Sequence, residues 1–373
     1  GQVFGTDVSS METAWGEALI RGYSEDAWVE IVNGFSQDAA LAHIDELTKP
    51  EYAGRQAGSP GEELATQTIA NQFAYLGLVP VGDTGGYVQR FPISYTTLSA
   101  SPTLELINPK SQSLIYRQDF VTANRDVIAG GAAENEVVWV RDAYGDMQVD
   151  GKIVLKHFDQ SVAVEMEDAI THGASGLLLL TDNSGKALVA KRALPVTSTV
   201  TPAIPVLELT TDGLEKLVEA SGFRLGEIYG SPPALPLGVR IRMAVPLTPP
   251  EAVNSANVLG LLPGSDPDLS DEFIILGAHY DHVGDEPDGL PYSGANDDAS
   301  GVAVLFEIAR LWQETGYRPA RSILFAAWGA QEPGEIGSRF YVDNPAIPLE
   351  NTVAMLQMDS VAGGGGFYLE AQG

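Results

Sequence analysis

Four short polar segments in the last third of the chain carry residue types that bind divalent cations. They are HYDH at His279–His282, GANDDASG at Gly294–Gly301, AQE at Ala330–Glu332, and Asp359. The first, third and fourth each follow an apolar run of strand length: Phe273–Ala278, Ser322–Ala327 and Val353–Met358. Ligands of open α/β sheets bind outside the carboxyl ends of the strands, so this spacing predicts that the polar segments meet at one sheet edge. Imidazole and carboxylates gathered there, in a chain without cysteine, make a nitrogen and oxygen donor set suited to Zn²⁺. A carboxylate shared by two ions would hold them roughly 3.5–4 Å apart, close enough to handle one water and one scissile carbonyl together.

The elements that must position these residues are legible around them. Gly301–Gln313 is amphipathic and lies between the first two apolar runs, and a strand, helix, strand order implies a parallel sheet covered on both faces. Upstream, Asp38–Leu47 and Glu62–Leu76 repeat apolar residues at helical spacing, and residues 1–80 read as mostly helical. Between those helices, Ala53–Gly61 is rich in glycine, with Ser59 and Pro60 placed to cap and start the second helix. That segment is either a plain connection or part of a site rim. From about Tyr87 the period shifts towards two, with strands expected at Thr103–Ile107 and Val137–Val140. Asp150–Leu155, Val162–His172 and Ala174–Leu180 then read as strand, crossover helix and buried strand, a small α/β module. Proline-rich Ser231–Pro236 and Pro246–Pro250 mark a return linker.

Composition removes several function classes. The 373 residues carry 21 Lys+Arg against 50 Asp+Glu, a formal charge of −29, so a phosphate backbone would be repelled and nucleic acid is excluded as a partner. Uncharged apolar runs such as Gly173–Thr181 are too short to cross a bilayer, and no membrane span is expected. The chain opens Gly-Gln-Val-Phe without an initiator Met, which fits a processed product and a secreted, extracellular or cell-envelope location. A Gly-x-Ser-x-Gly elbow and glycine-rich nucleotide loops are missing, which leaves serine hydrolase and nucleotide readings unsupported. Among the remaining residues, His282 could line a pocket mouth, while His43, His157 and His172 read as structural or surface residues and Tyr280 and Trp328 as packing residues.

Taken together, His279-x-Asp281, Gly294–Gly301, Ala330–Ser338 and Gln357–Asp359 resemble the di-zinc metalloexopeptidases that include bacterial leucyl aminopeptidases and glutamate carboxypeptidase. The resemblance extends to Gly54–Ser59, Tyr87–Phe91 and Asn257–Gly264, and residues 101–247 are similar to the protease-associated domain that many members insert. It implies a zinc exopeptidase fold, a mixed, largely parallel sheet with helices on both faces, plus an inserted α/β domain. The implied organisation is 1–100 as the N-terminal part of the peptidase domain, 101–247 as the insert, and 248–373 as the metal-binding core. By the same resemblance two Zn²⁺ are expected: His279 and Asp359 bind one ion, Asp297 bridges both, and Glu332 binds the second. Asp281 would orient His279 by accepting its other ring N–H, and the Asp297–Asp298 peptide bond would be cis.

Two departures bear on activity. Gln331 stands where the family has its catalytic glutamate, the general base, and an amide cannot carry a proton from water to the leaving amine. It is either a natural loss of activity or a deliberate substitution. The family's last ligand is a downstream histidine, whereas the five histidines here end at His282. The second ion is then expected to need a second chain or a further C-terminal segment. The resemblance therefore implies a metallo-aminopeptidase acting on peptides through a metal-bound water, impaired by Gln331. Aminopeptidase ranks above carboxypeptidase by analogy alone. The alternative is a non-catalytic scaffold or binding protein that retains the fold.

Overall fold

A computed structural model describes residues 33–122, 130–141, 149–157, 161–180, 204–231, 234–289 and 291–363, together with the single positions 29 and 144. The helical expectation for residues 1–28 lies outside the described residues. Helix α1, Gln37–Leu47, is capped by the Ser36 hydroxyl, which accepts from Ala39 N. Helix α2, Pro60–Tyr75, starts as its sequence predicts: Pro60 occupies the first turn and the Ser59 hydroxyl accepts from Glu62 N. Strands β1, Val79–Pro80, and β2, Val88–Tyr95, follow.

The chain then builds a separate sheet. Its parts are β3 (Thr103–Asn108), β4 (Gln112–Ser113), β5 (Phe120–Thr122), β6 (Gly131–Val140), β7 (Ile153–His157), helix α3 (Val162–Thr171), β8 (Gly176–Leu180), β9 (Val206–Leu209), helices α4 (Thr211–Ser221) and α5 (Leu225–Tyr229), and β10 (Ala234–Val245). The order is β4-β3-β10-β6-β7-β8-β9-β5. Neighbours β6 to β9 run parallel, while β10 is antiparallel to β6 and β3. The proline-rich stretch read as a linker is partly strand: Ala234, Leu235 and Pro236 pair with Val140, Trp139 and Val138 before the register shifts. Proline is tolerated there because the ladder is interrupted directly after it, where Gly238 takes a positive φ of 66°.

The remaining chain forms the second sheet with β11 (Glu251–Leu262), β12 (Phe273–His279), helix α6 (Ser300–Thr315), β13 (Ser322–Trp328), helix α7 (Ile336–Asp343) and β14 (Thr352–Gln357). Its order is β1-β11-β13-β12-β14, with β2 also paired to β11. Strands β13, β12 and β14 are mutually parallel, β11 is antiparallel to β13, and the mixed α/β architecture matches expectation.

The continuous apolar runs follow from burial on two faces. Alternate residues of β13 serve opposite cores. Phe325 and Ala327 pack with Phe73 of α2 and Val302, Leu305 and Phe306 of α6. Leu324, Ala326 and Trp328 pack with Tyr341 of α7 and with Leu259. Parallel β12 and β13 end in register, His279 opposite Trp328, so the segments that follow them emerge side by side. Among the described residues β14 is the edge of the sheet, and its Val353, Met355 and Leu356 are exposed.

Candidate metal centre

Asp281 fixes the first pair of segments. Its fully buried carboxylate accepts the Gln331 N–H at 2.8 Å and the Glu332 N–H at 3.2 Å, tying the turn after β13 to the end of β12. Asp281 also lies against the His279 ring, through its backbone as well as its side chain. The His279 Nδ1 lies 3.1 Å from the backbone oxygen of Asp281 and 3.7 Å from the carboxylate. The carbonyl is the nearer acceptor because the carboxylate is already aimed at the two backbone N–H groups. Either way Nε2 is left to face the site, 3.0 Å from Asp297 Oδ1 and 3.7 Å from Asp359 Oδ2.

Asp298 performs the same service for other segments. Its carboxylate accepts from His279 N at 3.1 Å, Gly301 N at 3.0 Å and Ser360 N at 3.1 Å. It joins the end of β12, the first turn of α6 and the turn after β14. The Asp297–Asp298 peptide bond is cis. Ahead of it, the loop is held by Arg55, whose fully buried guanidinium donates to the carbonyls of Leu47, Tyr280, Ser293 and Gly294 at 2.6–2.8 Å. The Gly54–Ser59 segment is thus part of the scaffold beneath the site. Gly294 has φ 61°, and a Cβ there would lie 2.6 Å from both Arg55 Nη2 and His282 Cγ, so this position requires glycine.

These supports gather two donor groups. His279, Asp298 and Asp359 bring ligand atoms within 4.8 Å of one another, and so do His282, Asp297 and Glu332. Asp297 contacts His279 as well, so it stands between the groups, as a bridging residue would. All four expected ligands, His279, Asp297, Glu332 and Asp359, are therefore brought together, with Gln331 beside Glu332 in the turn that Asp281 holds. Sequence reasoning assigned no role to Arg55 and left His282 at the pocket mouth. The glycines around Arg55 were the available signal for the first, and the histidine spacing in HYDH for the second.

The other singled-out residues pack as expected. Tyr280 is fully buried and its hydroxyl donates to Ala256 O. Trp328 is buried. His43 packs edge-on against Phe306, His157 stacks on Tyr229, and His172 stacks on Tyr144.

Electrostatics follow from this crowding of carboxylates. Burial alone would lower the His279 pKa, but the surrounding carboxylates of Asp281, Asp297 and Asp359, 3.0–3.7 Å from its ring nitrogens, outweigh it and hold the imidazole well above its ordinary value. The nearby His279 imidazole in turn keeps Asp359 below the usual carboxylate range. Burial pushes Asp298 up to about 7 and draws Arg55 down to about 10. With Asp298 turned to the backbone, His279, Asp297 and Asp359 offer one imidazole and two carboxylates, the three protein ligands that a catalytic zinc site uses while keeping a position open. The donor chemistry fits zinc.

Fold and site together place a candidate metal centre at the carboxyl edge of a mixed sheet. Residues 257–372, which carry all four motifs, match peptidase family M28, and the resemblance to the di-zinc metalloexopeptidases holds. The chain is 36% identical over 143 residues to Aminopeptidase NAALADL1 of Rattus norvegicus, covering 37% of this chain and 18% of that protein. It is 26% identical over 343 residues to the Probable lipoprotein aminopeptidase LpqL of Mycobacterium tuberculosis, covering 90% of this chain and 61% of that one. The chain thus spans less than two thirds of these relatives. Among solved structures, an aminopeptidase from Aneurinibacillus sp. strain AM-1 shares the fold, with TM-score 0.65 and 23% identity over 89% of this chain and 72% of the other.

Proposed function

We propose that this chain is the metal-binding part of a zinc-dependent aminopeptidase-type exopeptidase that removes N-terminal residues from peptides, with its turnover limited by Gln331. The observation that carries this reading is the pair of histidine and carboxylate groups with Asp297 in contact with both. Two relatives named as aminopeptidases support it. His279, Asp297 and Asp359 would hold one ion, and Asp297 and Glu332 would contribute to the second. When bound, zinc supplies Lewis acidity towards a peptide carbonyl and water.

The chain's own residues do the rest. Asp281 holds the Gln331–Glu332 turn against the end of β12, and Asp298 holds the start of α6 against the same strand end. Both place their neighbours before substrate arrives, so no reorganisation is needed during reaction. Gln331 can hydrogen-bond a substrate or water from this turn but cannot accept a proton, which removes the contribution of about 10²–10⁴ that a general base makes.

The test is Gln331→Glu assayed on aminoacyl p-nitroanilides, with bound zinc measured in parallel. A rise in kcat of about 10²–10⁴-fold is expected. A zinc-loaded Gln331→Glu protein with no activity on N-terminal substrates would instead support the non-catalytic scaffold reading, which the glutamine itself favours. We further propose that residues 101–247 are the inserted protease-associated domain. That is supported by an eight-stranded sheet whose strands run from Thr103 to Val245 and which packs its own core around Trp139. A secreted or cell-envelope location goes with this reading. The exposed Val353, Met355 and Leu356 of β14 support a covering segment, from a longer form of the protein or from a second chain.

A further inference from the structure

The turn that carries Gln331 and Glu332 holds its backbone in conformations that L residues rarely adopt. Between the end of β13 at Trp328 and the start of α7 at Ile336, two non-glycine residues, Ala330 and Glu335, have positive φ values of 51° and 60°. Such conformations persist only where the surroundings over-determine them. Asp281 holds the middle of the turn from one side. On the other side the two stems of the turn, Gly329 and Gly337, meet one side chain, that of Asn257 in β11. We propose that Asn257 is the positioning residue for Gln331 and Glu332, acting on them through these stems. The inference deepens the proposed function and rests on it for one consequence, the effect on metal binding through Glu332.

Three observations carry it. First, the contacts demand an amide. Asn257 is fully buried, its Oδ1 accepts from Gly329 N at 3.3 Å, and its Nδ2 donates to Gly337 O and to Gln89 Oε1, both at 2.9 Å. One flat group presents an acceptor and two donors at once. An aspartate would set an oxygen against two others, and an apolar residue would leave three buried polar atoms unpaired. Second, the orientation of that amide is fixed. Gln89 is also buried, and its Nε2 donates to Asn344 O, just past α7, at 2.7 Å. Its Oε1 is thereby left to accept from Asn257 Nδ2, which turns Asn257 Oδ1 towards Gly329. Third, the stems are in close contact with each other and with the amide. A Cβ at Gly337 would lie 2.2 Å from Gly329 O and 2.4 Å from Asn257 Oδ1. Interiors packed this tightly transmit strain, so a shift at Asn257 reaches both ends of the turn.

The competing role is that of a plain anchor between α7 and the sheet, with the turn left to Asp281 alone. The two roles differ in where the molecule opens. Loss of an anchor lowers stability throughout the second sheet, whereas loss of a positioning residue opens the turn locally, ahead of the strands beside it. They differ again at the metal: loss of a partner that orients a ligand weakens metal affinity by about 10–100-fold, and loss of an anchor in a chain that stays folded does not.

The experiment is hydrogen–deuterium exchange, read by mass spectrometry on the chelator-treated full chain, followed by calorimetric titration with zinc. It compares wild type with Asn257→Ala, Asn257→Asp and Glu165→Ala, the last of which breaks a buried ion pair in the other sheet. Far-UV circular dichroism confirms that each variant is folded. In both Asn257 variants the segment 329–338 should lose protection by roughly 5–100-fold, the range for one or two buried hydrogen bonds, while β12 and β13 lose less. Zinc affinity should fall by about 10–100-fold in the same two variants. Glu165→Ala should lower the urea midpoint and produce neither change. Exchange in 329–338 that rises no more than in β12 and β13 would make Asn257 a plain anchor and overturn the proposal. Wild-type zinc affinity in both Asn257 variants would overturn it as well and leave the metal centre standing. No zinc bound by wild type would overturn the metal-centre reading, and exchange at 329–338 would still decide whether Asn257 positions the turn.

Discussion

Replacing Asp281 by asparagine should loosen the site without altering any donor that faces it. The carboxylate is fully buried and accepts two backbone N–H groups, from Gln331 at 2.8 Å and from Glu332 at 3.2 Å. Asparagine keeps one acceptor oxygen and turns an NH₂ towards the other N–H, so one bond is lost and the other falls from a charged to a neutral acceptor. A hydrogen bond to a charged group contributes about 1.5–3 kcal/mol, and a buried donor left unpaired costs about 1–3 kcal/mol. Relief from burying the charge offsets part of this, and a net loss of roughly 2–4 kcal/mol is expected. Urea unfolding of the chelator-treated protein should show a lower midpoint with an unchanged slope, the mark of lost stability rather than altered compactness. Zinc affinity should fall by about 10–100-fold, the range for partners that orient ligands. Wild-type midpoint and zinc affinity in the asparagine variant would refute the claim that Asp281 holds the turn.

Other measurements follow from the same structure. Burial pushes Glu62 up to about 8, although the Ser255 hydroxyl and Gly58 N–H both donate to it at 2.5 Å. Between about pH 4.5 and 8 the native state therefore binds a proton that the unfolded state has released, and stability falls as pH rises through that window. Glu62→Gln should flatten this part of the pH–stability curve, and an unchanged slope would count against it. In the other sheet, Lys156 Nζ lies 2.9 Å from one oxygen of Glu165 and donates to the other at 3.1 Å, with both side chains buried. Glu165→Ala should cost about 3–5 kcal/mol by leaving a buried ammonium without its carboxylate, while Lys156→Met with Glu165→Leu should cost much less; denaturant midpoints of the variants check both. Zinc at 100 times its dissociation constant should stabilise the fold by about 2.7 kcal/mol per independent site, and a chelator should reverse the gain in a thermal melt.

The sequence made the second sheet legible because doubly buried parallel strands are short, continuous and apolar. Phe273–Ala278 and Ser322–Ala327 became β12 and β13 within a residue or two. His279, Glu332 and Asp359 were legible for the same reason, since each sits at or just beyond the end of such a run, while Asp297 was legible only through the Gly294–Gly301 motif. Arg55 was not, because its partners are four carbonyls, three of which lie more than 200 residues away, and a carbonyl leaves no trace in residue type. Spacing likewise places Asp281 beside the His279 ring but does not say which of its oxygens is nearer, and the backbone oxygen is, at 3.1 Å. The proline-rich run around Pro236 read as linker because proline opposes ladder bonding, and only the register shift before Arg240 shows how the strand accommodates it.

Five carboxylates meet at this sheet edge, and their surroundings divide them by task. Asp281 and Asp298 are buried and direct their oxygens at backbone N–H groups of the turns on either side. Their oxygens are committed to holding loops, and those hydrogen bonds satisfy polar atoms that would otherwise be costly to bury. Asp297, Asp359 and Glu332 are more exposed and lie against imidazole nitrogens. The imidazoles they touch become neutral ligands once a metal displaces the proton. Two acidic residues adjacent in sequence, Asp297 and Asp298, fall on opposite sides of this division, so composition and motif alone could not separate scaffold from donor. What separates them is their surroundings: Asp298 is fully buried and accepts from three backbone N–H groups, while Asp297 is half exposed and lies against His279 Nε2.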